Sequence, residues 1–315
     1  MTSIIFHSSC PDGIVAKEMM RSSADLLNYI SIECVPFQYG GKIADRHLNF
    51  QSIWVDCCPE DEEDFYNGLT HGCIYIDHHE TVKTKFQKWY SKFPEQLIFG
   101  ETAFGNSGSS LTYDYLIKQF RKENVDNRDI KDFDEIYLDI KKLVALADTW
   151  QVDHKDFKKA RAMSSLIATV GNEIDIPKCH HGLLNMALAF EKNKQQQDAR
   201  KAENIHLHAI GNLNVAILND NHISDIAEIL RNREENHADL IVGFFYVPDG
   251  DTFKVVYSLR SNDVFDCSKY AKSNNGGGHV KAAGFSVRIG YTDTIFDPIN
   301  YFKTNLSTYL KETLS

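Results

Sequence analysis

SIWVDCCPE at residues 52–60 and CIYIDHHET at residues 73–81 decide the fold. Each begins as a short apolar run and ends in an acid, Asp56 in the first and Asp77 in the second. Continuous runs of β-branched and aromatic residues suit strands buried on both faces, as in a parallel sheet. Working outward, the spacing predicts further strands at residues 3–6, 31–37 and 96–99. Helices are expected at residues 13–27, 109–122 and 132–149. Strands that alternate with helices imply an α/β fold around a parallel sheet.

Downstream, residues 183–207 read as a polar helix around EKNKQQQDARKAEN, and are expected to link two domains. From residue 213 the pattern changes. Strands at 213–218, 240–247 and 253–259 surround a helix at 224–233. A glycine-rich turn, NNGGGH at 274–279, then precedes a last strand at 285–289. The expected organisation is a catalytic domain over residues 1–182, a helical linker over 183–212 and a smaller α/β domain over 213–315.

Composition narrows the function. A chain of 315 residues suggests two domains at ~150 residues each. The net charge of −10 disfavours tight binding to long nucleic acid, where many Lys and Arg neutralise phosphates. A small anionic substrate remains compatible, because bound cations can dominate the local field. Apolar runs such as residues 241–247 are far too short to span a bilayer. The opening MTSIIFHSSCPDG has no basic start and only a short apolar run, unlike a signal peptide. Seven cysteines without framework spacing suit a reducing compartment, so a cytoplasmic location is expected. Cys34 and Cys73 are expected as buried thiols, and Trp54, Trp89 and Trp150 as core residues.

Acidic and imidazole groups recur where the strands end. His7 follows SIIF, Asp56 ends SIWVD, and Asp77 ends CIYID with His78 and His79 beyond it. Ligands of open parallel sheets gather at that edge. Asp is common after any strand, so one such residue decides nothing; three strands aiming Asp and His at one crevice do. Carboxylates and imidazoles suit Mn, Zn, Fe or Mg. Asp56 is the natural bridging carboxylate, because the CCPE turn beside it can leave both its oxygens open. Asp148, in ALADTW at 145–150, adds a carboxylate from a helix. FGNSGSSL at 104–111 reads in its Ser107–Ser110 portion as a helix cap, with a phosphate-facing turn as the alternative. His180-His181, His206 and His208 have no carboxylate pattern around them and receive no site.

Five motifs in order, HSSCPDG at 7–13, VDCCP at 55–59, DHHET at 77–81, ALADTW at 145–150 and GGGHVKAAGF at 276–285, resemble the DHH phosphoesterase superfamily with a DHHA1-type C-terminal domain. The resemblance covers nearly the whole chain. It implies that His7 and Cys10 hold one metal and that Asp12, His78 and Asp148 hold a second, with Asp56 bridging. It implies that Asp77 orients the site and His79 faces the substrate phosphate. It also implies that Gly276, Gly277, Gly278, His279 and Arg260, in YSLRS at 257–261, bind substrate. Cys10 departs from the pattern, since many members carry Asp there. A thiolate favours zinc or iron over magnesium, and a protonated thiol beside Asp12 is the alternative.

The function expected is two-metal hydrolysis of phosphodiester or phosphomonoester bonds in short oligonucleotides or small nucleotides. The cofactors are two divalent ions, manganese first, with Mg2+, Zn2+, Fe2+ or Co2+ as alternatives. Two other readings are carried: a pyrophosphatase or polyphosphatase, whose branch lacks the GGGH motif, and a nucleotide sensor impaired by Cys10. No membrane or long-duplex partner is expected, and a homodimer is compatible.

Overall fold

In the computed structural model the described residues are 2–29, 31–39, 44, 47–48, 52–221, 223–250, 252–262, 264–290 and 296–314. They divide into two compact units, Met1–Lys192 and Asn193–Ser315.

The first unit alternates strand and helix, as the apolar runs require. β1 (Thr2–His7), α1 (Pro11–Ser22), β2 (Ile32–Phe37), β3 (Ser52–Val55), α2 (Glu62–Thr70), β4 (Ile74–Asp77), α3 (Glu80–Trp89) and β5 (Leu97–Phe99) lead into α4 (Gly108–Lys122), α5 (Asn127–Asp148) and α6 (Phe157–Val170). The sheet order is β2-β1-β3-β4-β5, and every neighbouring pair is parallel. Successive side chains point to opposite faces, and both faces are covered. Ile4, Phe6, Ile53, Val55 and Ile76 pack into one core with α1, α4 and α5. Ile5, Trp54 and Tyr75 pack into another with Phe65 and Leu69 of α2 and Val82 and Phe86 of α3. All strands run the same way, so their carboxyl ends share one edge. The strand order reverses at β1, which makes the crevice between β1 and β3 the switch point where such sheets bind ligands. β1 ends there in His7 and Asp56 follows β3.

α7 (Ile176–Glu203) is longer than the polar pattern predicts and begins earlier. Ile176, Leu183 and Ala187 in its first half are buried in the first core, so tertiary packing extends a helix whose polar second half alone stands out in the sequence.

The second unit holds β6 (Leu207–Ile210), β7 (Leu213–Asn219), α8 (Ser224–Arg231), β8 (Leu240–Asp249), β9 (Thr252–Ser261), α9 (Cys267–Ser273), β10 (Gly277–His279), β11 (Ala282–Ile289) and α10 (Pro298–Leu314). Its sheet order is β10-β11-β9-β8-β7-β6. Tyr257, Leu259 and Phe285 face α9 and α10. Ala216 and Ile241 face α8.

The glycine-rich stretch differs from the expected turn. Gly277–His279 is a strand, paired antiparallel with Gly284, Ala283 and Ala282 of β11. The turn proper is Val280-Lys281. The pairing needs two of the three glycines. A Cβ on Gly276 would lie 2.2 Å from the Gly284 carbonyl oxygen, and one on Gly278, at φ +134°, 2.5 Å from the Ala283 Cα. A Cβ on Gly277 meets nothing within 4 Å. Gly276→Ala is therefore expected to lower the thermal midpoint by several degrees, in line with an overpacking cost of about 1–3 kcal/mol, whereas Gly277→Ala leaves it within a degree. Calorimetric melting of both variants checks this.

Candidate metal centre

Asp56 is the centre of the site. It leaves β3 with a left-handed backbone, φ 60°, which non-glycine residues adopt rarely and mostly where surroundings enforce it. Its amide is pinned to the Ile76 carbonyl at 2.9 Å, and its side chain is completely buried. His7 Nδ1 lies 3.5 Å from one carboxylate oxygen, and His78 Nε2 lies 3.2 Å from the other. Burial pushes the Asp56 carboxyl up, but the two imidazoles outweigh it and hold it down at about 2.

Around Asp56 stand the other carboxylates. Asp12, in the first turn of α1, is fully buried. Its oxygens accept from the Ser109 amide at 3.1 Å, from the Ser107 hydroxyl at 2.8 Å and from the Ser109 hydroxyl. These donors belong to the N-terminus of α4, whose end carries partial positive charge. Ser107 and Ser110 also form a reciprocal capping box there, as the small-residue cluster predicts. Between them Gly108 is required by close approach: a Cβ would come 2.6 Å from the Asp56 Cβ and 2.9 Å from an Asp12 oxygen. Asp148 closes α5, 3.3 Å from His78 Nε2, and accepts from the Cys10 thiol at 3.8 Å.

Burial, and then the charge of Asp56, push Asp12 up to about 8. Burial also raises Asp148. Burial opposes the charge on His78, yet the surrounding carboxylates, Asp56 foremost, raise it to about 9. Like charges packed this closely disfavour full ionisation of the set, which is why Asp12 and Asp148 are raised while Asp56, between two imidazoles, is held down. The Cys10 thiol is pushed far up by burial and then by Asp56, Asp12 and Asp148.

The DHH triplet separates into three roles. Asp77 ends β4, fully buried. One of its oxygens accepts from the amides of His78 at 2.7 Å and His79 at 2.9 Å. The same oxygen accepts from His79 Nδ1 at 2.7 Å. That bond, chiefly, raises the His79 imidazole and leaves Nε2 as its outward atom. His78 is turned the other way: its Nδ1 lies 3.1 Å from the Thr102 hydroxyl, so its Nε2 faces the carboxylates.

The donor set fits metal ions. Among the described residues, both Asp56 oxygens, His7 Nδ1 and His78 Nε2 are buried without a hydrogen bond. Their close approaches lack hydrogen-bond geometry. Leaving such atoms unsatisfied costs about 1–3 kcal/mol each, which a cation offsets. Ligand atoms lie within 4.8 Å of one another in three groups: His7, Cys10 and Asp56; Asp12, His78 and Asp148; and Asp56, His78 and His79. The six residues expected to ligate metal are thus brought together.

The substrate-binding residues expected in the second unit share a sheet. Arg260 pairs with Ala282, which pairs with His279. Directly paired residues project to the same face, so Arg260 and His279 are on one face with only a small residue between. Arg260 Nε reaches the Ser224 hydroxyl at 3.3 Å, and burial lowers its guanidinium from its ordinary value.

Several residues escape a sequence reading. The Thr102, Ser107 and Ser109 contacts come from segments far along the chain. Tyr39, just past β2, meets the rings of His7 at 5.5 Å and His79 at 6.2 Å edge-on. Its place at the carboxyl edge is the one signal available. Trp150, expected in the core, is 66% exposed, because the chain turns out of α5 at a left-handed φ of 53°. Trp54 is buried as expected. Cys73 is buried and Cys34 only half-buried. Glu135 of α5 comes within 4.8 Å of His180 and His181, a carboxylate neighbour that the sequence around the two histidines does not reveal. A cavity of about 560 Å³ includes Lys141, Lys142 and Lys159 but none of the metal set. Those lysines pair with Asp114, Asp139 and Asp156.

Residues 211–302 match the family model of the DHHA1 domain. The match agrees with what GGGHVKAAGF implies. No curated protein matches the chain. Among solved structures, RecJ in complex with Mn2+ from Thermus thermophilus is similar at 14% identity and TM-score 0.47, over 99% of this chain and 52% of that one. The present chain therefore spans about half of RecJ. The pGpG-specific phosphodiesterase PggH from Vibrio cholerae is similar at 10% identity and TM-score 0.48, over 99% of both chains. An exopolyphosphatase-related protein from Bacteroides fragilis is similar at 14% identity and TM-score 0.47, over 100% of this chain and 93% of that one. At such identities the chemistry must be argued from the residues. No helix among the described residues is long and apolar enough to cross a membrane.

Metal ligands must shed their protons, and His78 holds its own up to about 9. Manganese binding, followed by calorimetry, is therefore expected to tighten steadily from pH 6 to pH 9 and to release protons to the buffer. A flat affinity over that range contradicts this donor set.

Proposed function

We propose that the chain is a metal-dependent phosphoesterase acting on phosphodiester or phosphomonoester bonds of short oligonucleotides or small nucleotides. The observation that carries this reading is the buried set of His7, Cys10, Asp12, Asp56, His78 and Asp148, with metal-seeking atoms left unsatisfied at its centre. His7, Cys10 and Asp56 would hold one divalent ion, and Asp12, His78 and Asp148 would hold a second, with manganese the leading candidate. Bound there, such ions supply a water of lowered pKa and neutralise charge developing on phosphate oxygens.

The protein's own groups do the rest. The helix terminus at Ser107–Ser109 fixes Asp12, and Thr102 fixes His78. Asp77 locks His79 by holding Nδ1–H, so Nε2 is the atom that holds or protonates an oxygen near the scissile bond. Its raised affinity for a proton suits that donor role. In the DHHA1 domain, Arg260, His279 and the edge strand Gly277–His279 offer charge-assisted and backbone donors for a phosphate group. Gly277, open to approach, is the glycine of the motif that a ligand can use. The DHHA1 match favours nucleotide esters over pyrophosphate, since the pyrophosphatase branch resembles a different C-terminal domain.

Asp56→Ala is expected to abolish turnover of a dinucleotide and of a nitrophenyl phosphodiester, by several orders of magnitude. Its circular dichroism should match the parent protein. Near-normal turnover in the folded variant sinks the proposal. A panel of dinucleotides, longer oligomers, bisphosphate nucleotides and pyrophosphate, assayed with manganese, ranks the substrates. Cys10→Asp tests the thiol as a ligand: exchanging sulfur for oxygen should move the activity ratio from zinc toward manganese and magnesium. An unchanged ratio makes Cys10 a bystander.

A further inference from the structure

Trp150 combines two costs at one residue. Its backbone is left-handed, φ 53°, a conformation strongly disfavoured for a bulky side chain. Its indole, which could be buried with a large hydrophobic gain, is instead 66% exposed. Strained positions of this kind cluster at ligand sites. The chain maintains the arrangement with short-range contacts. The Trp150 amide donates to Ala147, and the Val152 amide donates to the Trp150 carbonyl. The Phe157 ring meets the indole in a T-shaped contact at 5.5 Å and 84°.

The surroundings connect Trp150 to the metal centre. A cavity of about 300 Å³ is lined by Asp12, Asp148, Trp150, Arg161, Ser164 and Ser165, among others. Two of these are carboxylates of the centre. Arg161, Ser164 and Ser165 all come from α6, at the i, i+3 and i+4 positions that share one helix face. The lining thus combines two carboxylate residues of the centre, an aromatic residue, one cation and two hydroxyl residues. A volume near the lower bound for small-ligand pockets suits one nucleoside and not a longer chain.

We propose that Trp150, with Arg161, Ser164 and Ser165, forms a nucleoside subsite that stacks one base of the substrate whose phosphate lies at the Asp12–Asp148 end of the cavity. This rests on the phosphoesterase reading above and narrows it to substrates that carry a base beside the scissile phosphate. Every base has a π-face, so the subsite tolerates any base. The hydroxyls and the guanidinium bond the sugar and the flanking phosphate. A polyphosphate chain gains nothing from the indole.

The test compares an adenine dinucleotide with the same phosphodiester lacking its bases, in the wild type, Trp150→Ala and Trp150→Phe. Binding is read by calorimetry and turnover with manganese. Stacking of the size seen in single-strand binders corresponds to roughly 5- to 150-fold in affinity. Trp150→Ala is expected to weaken dinucleotide binding by that factor and to collapse the kcat/KM ratio of dinucleotide over abasic analogue. Trp150→Phe should restore most of that ratio, because a smaller ring still stacks. Equal losses on both probes, no loss on either, or no recovery with Phe overturns the subsite. So does a wild type that binds neither probe. A change in self-association without a change in base selectivity overturns it too and makes Trp150 a docking residue. The two readings fail separately: turnover without Trp150-dependent base selectivity removes the subsite alone, and Trp150-dependent binding without any hydrolysis removes the phosphoesterase alone.

Discussion

A carboxylate buried with no hydrogen bond to either oxygen is the constraint on which the first unit turns. Asp56 occupies that position, at the point where the parallel sheet reverses its strand order. An ionised carboxylate in such a place is stable only if positive charge reaches it. His7 arrives from β1 and His78 from the end of β4, one toward each oxygen. Everything near Asp56 follows from this need: the left-handed backbone that turns it inward, the glycine at 108 that lets α4 come close, and the serines that direct Asp12 alongside. A protein without a metal would gain stability by replacing these groups with apolar ones. Their retention in a well-packed core is the physical argument for a cation.

The same constraint explains the division of labour inside the triplet. Adjacent residues after a strand point in different directions, so His78 and His79 cannot serve one centre in the same way. Asp77 exploits this by accepting from both backbone amides and from the His79 ring. One imidazole is thereby freed to face the carboxylates while its neighbour is held toward the open side. In the second unit Arg260, His279 and the edge strand Gly277–His279 are arranged differently, spread over a sheet face rather than concentrated in a buried core.

Much of this is legible in the sequence. Runs such as SIWVD and CIYID are strands because their residues suit burial on both faces, and an acid at the end of each falls at the ligand-binding edge of a parallel sheet. The cap at Ser107–Ser110 is legible because small hydroxyl residues before an apolar helix satisfy its free amides. The acid that this helix end serves is not, since Asp12 lies in a different element. GGGH reads as a turn, because three glycines look flexible in isolation. Pairing with β11 makes them a strand, and only the room around each Cβ position separates the two that packing requires from the one left open. Composition alone places Trp150 in the core, and the turn that exposes it depends on how α5 ends and α6 begins.

By itself, the sequence determined the alternation of buried strands and helices, the carboxyl-edge positions of the chemical residues, and the resemblance of the C-terminal residues to the DHHA1 family. These follow from local periodicity and from residue types at short spacing. Only the tertiary structure decided which carboxylates crowd one another, which oxygen faces which imidazole, which glycine is open, and that Trp150 and two carboxylate residues line one cavity. Those are properties of distance and burial between elements far apart in the chain. Coulomb interactions and desolvation act through space, and no pattern along the sequence encodes their strength.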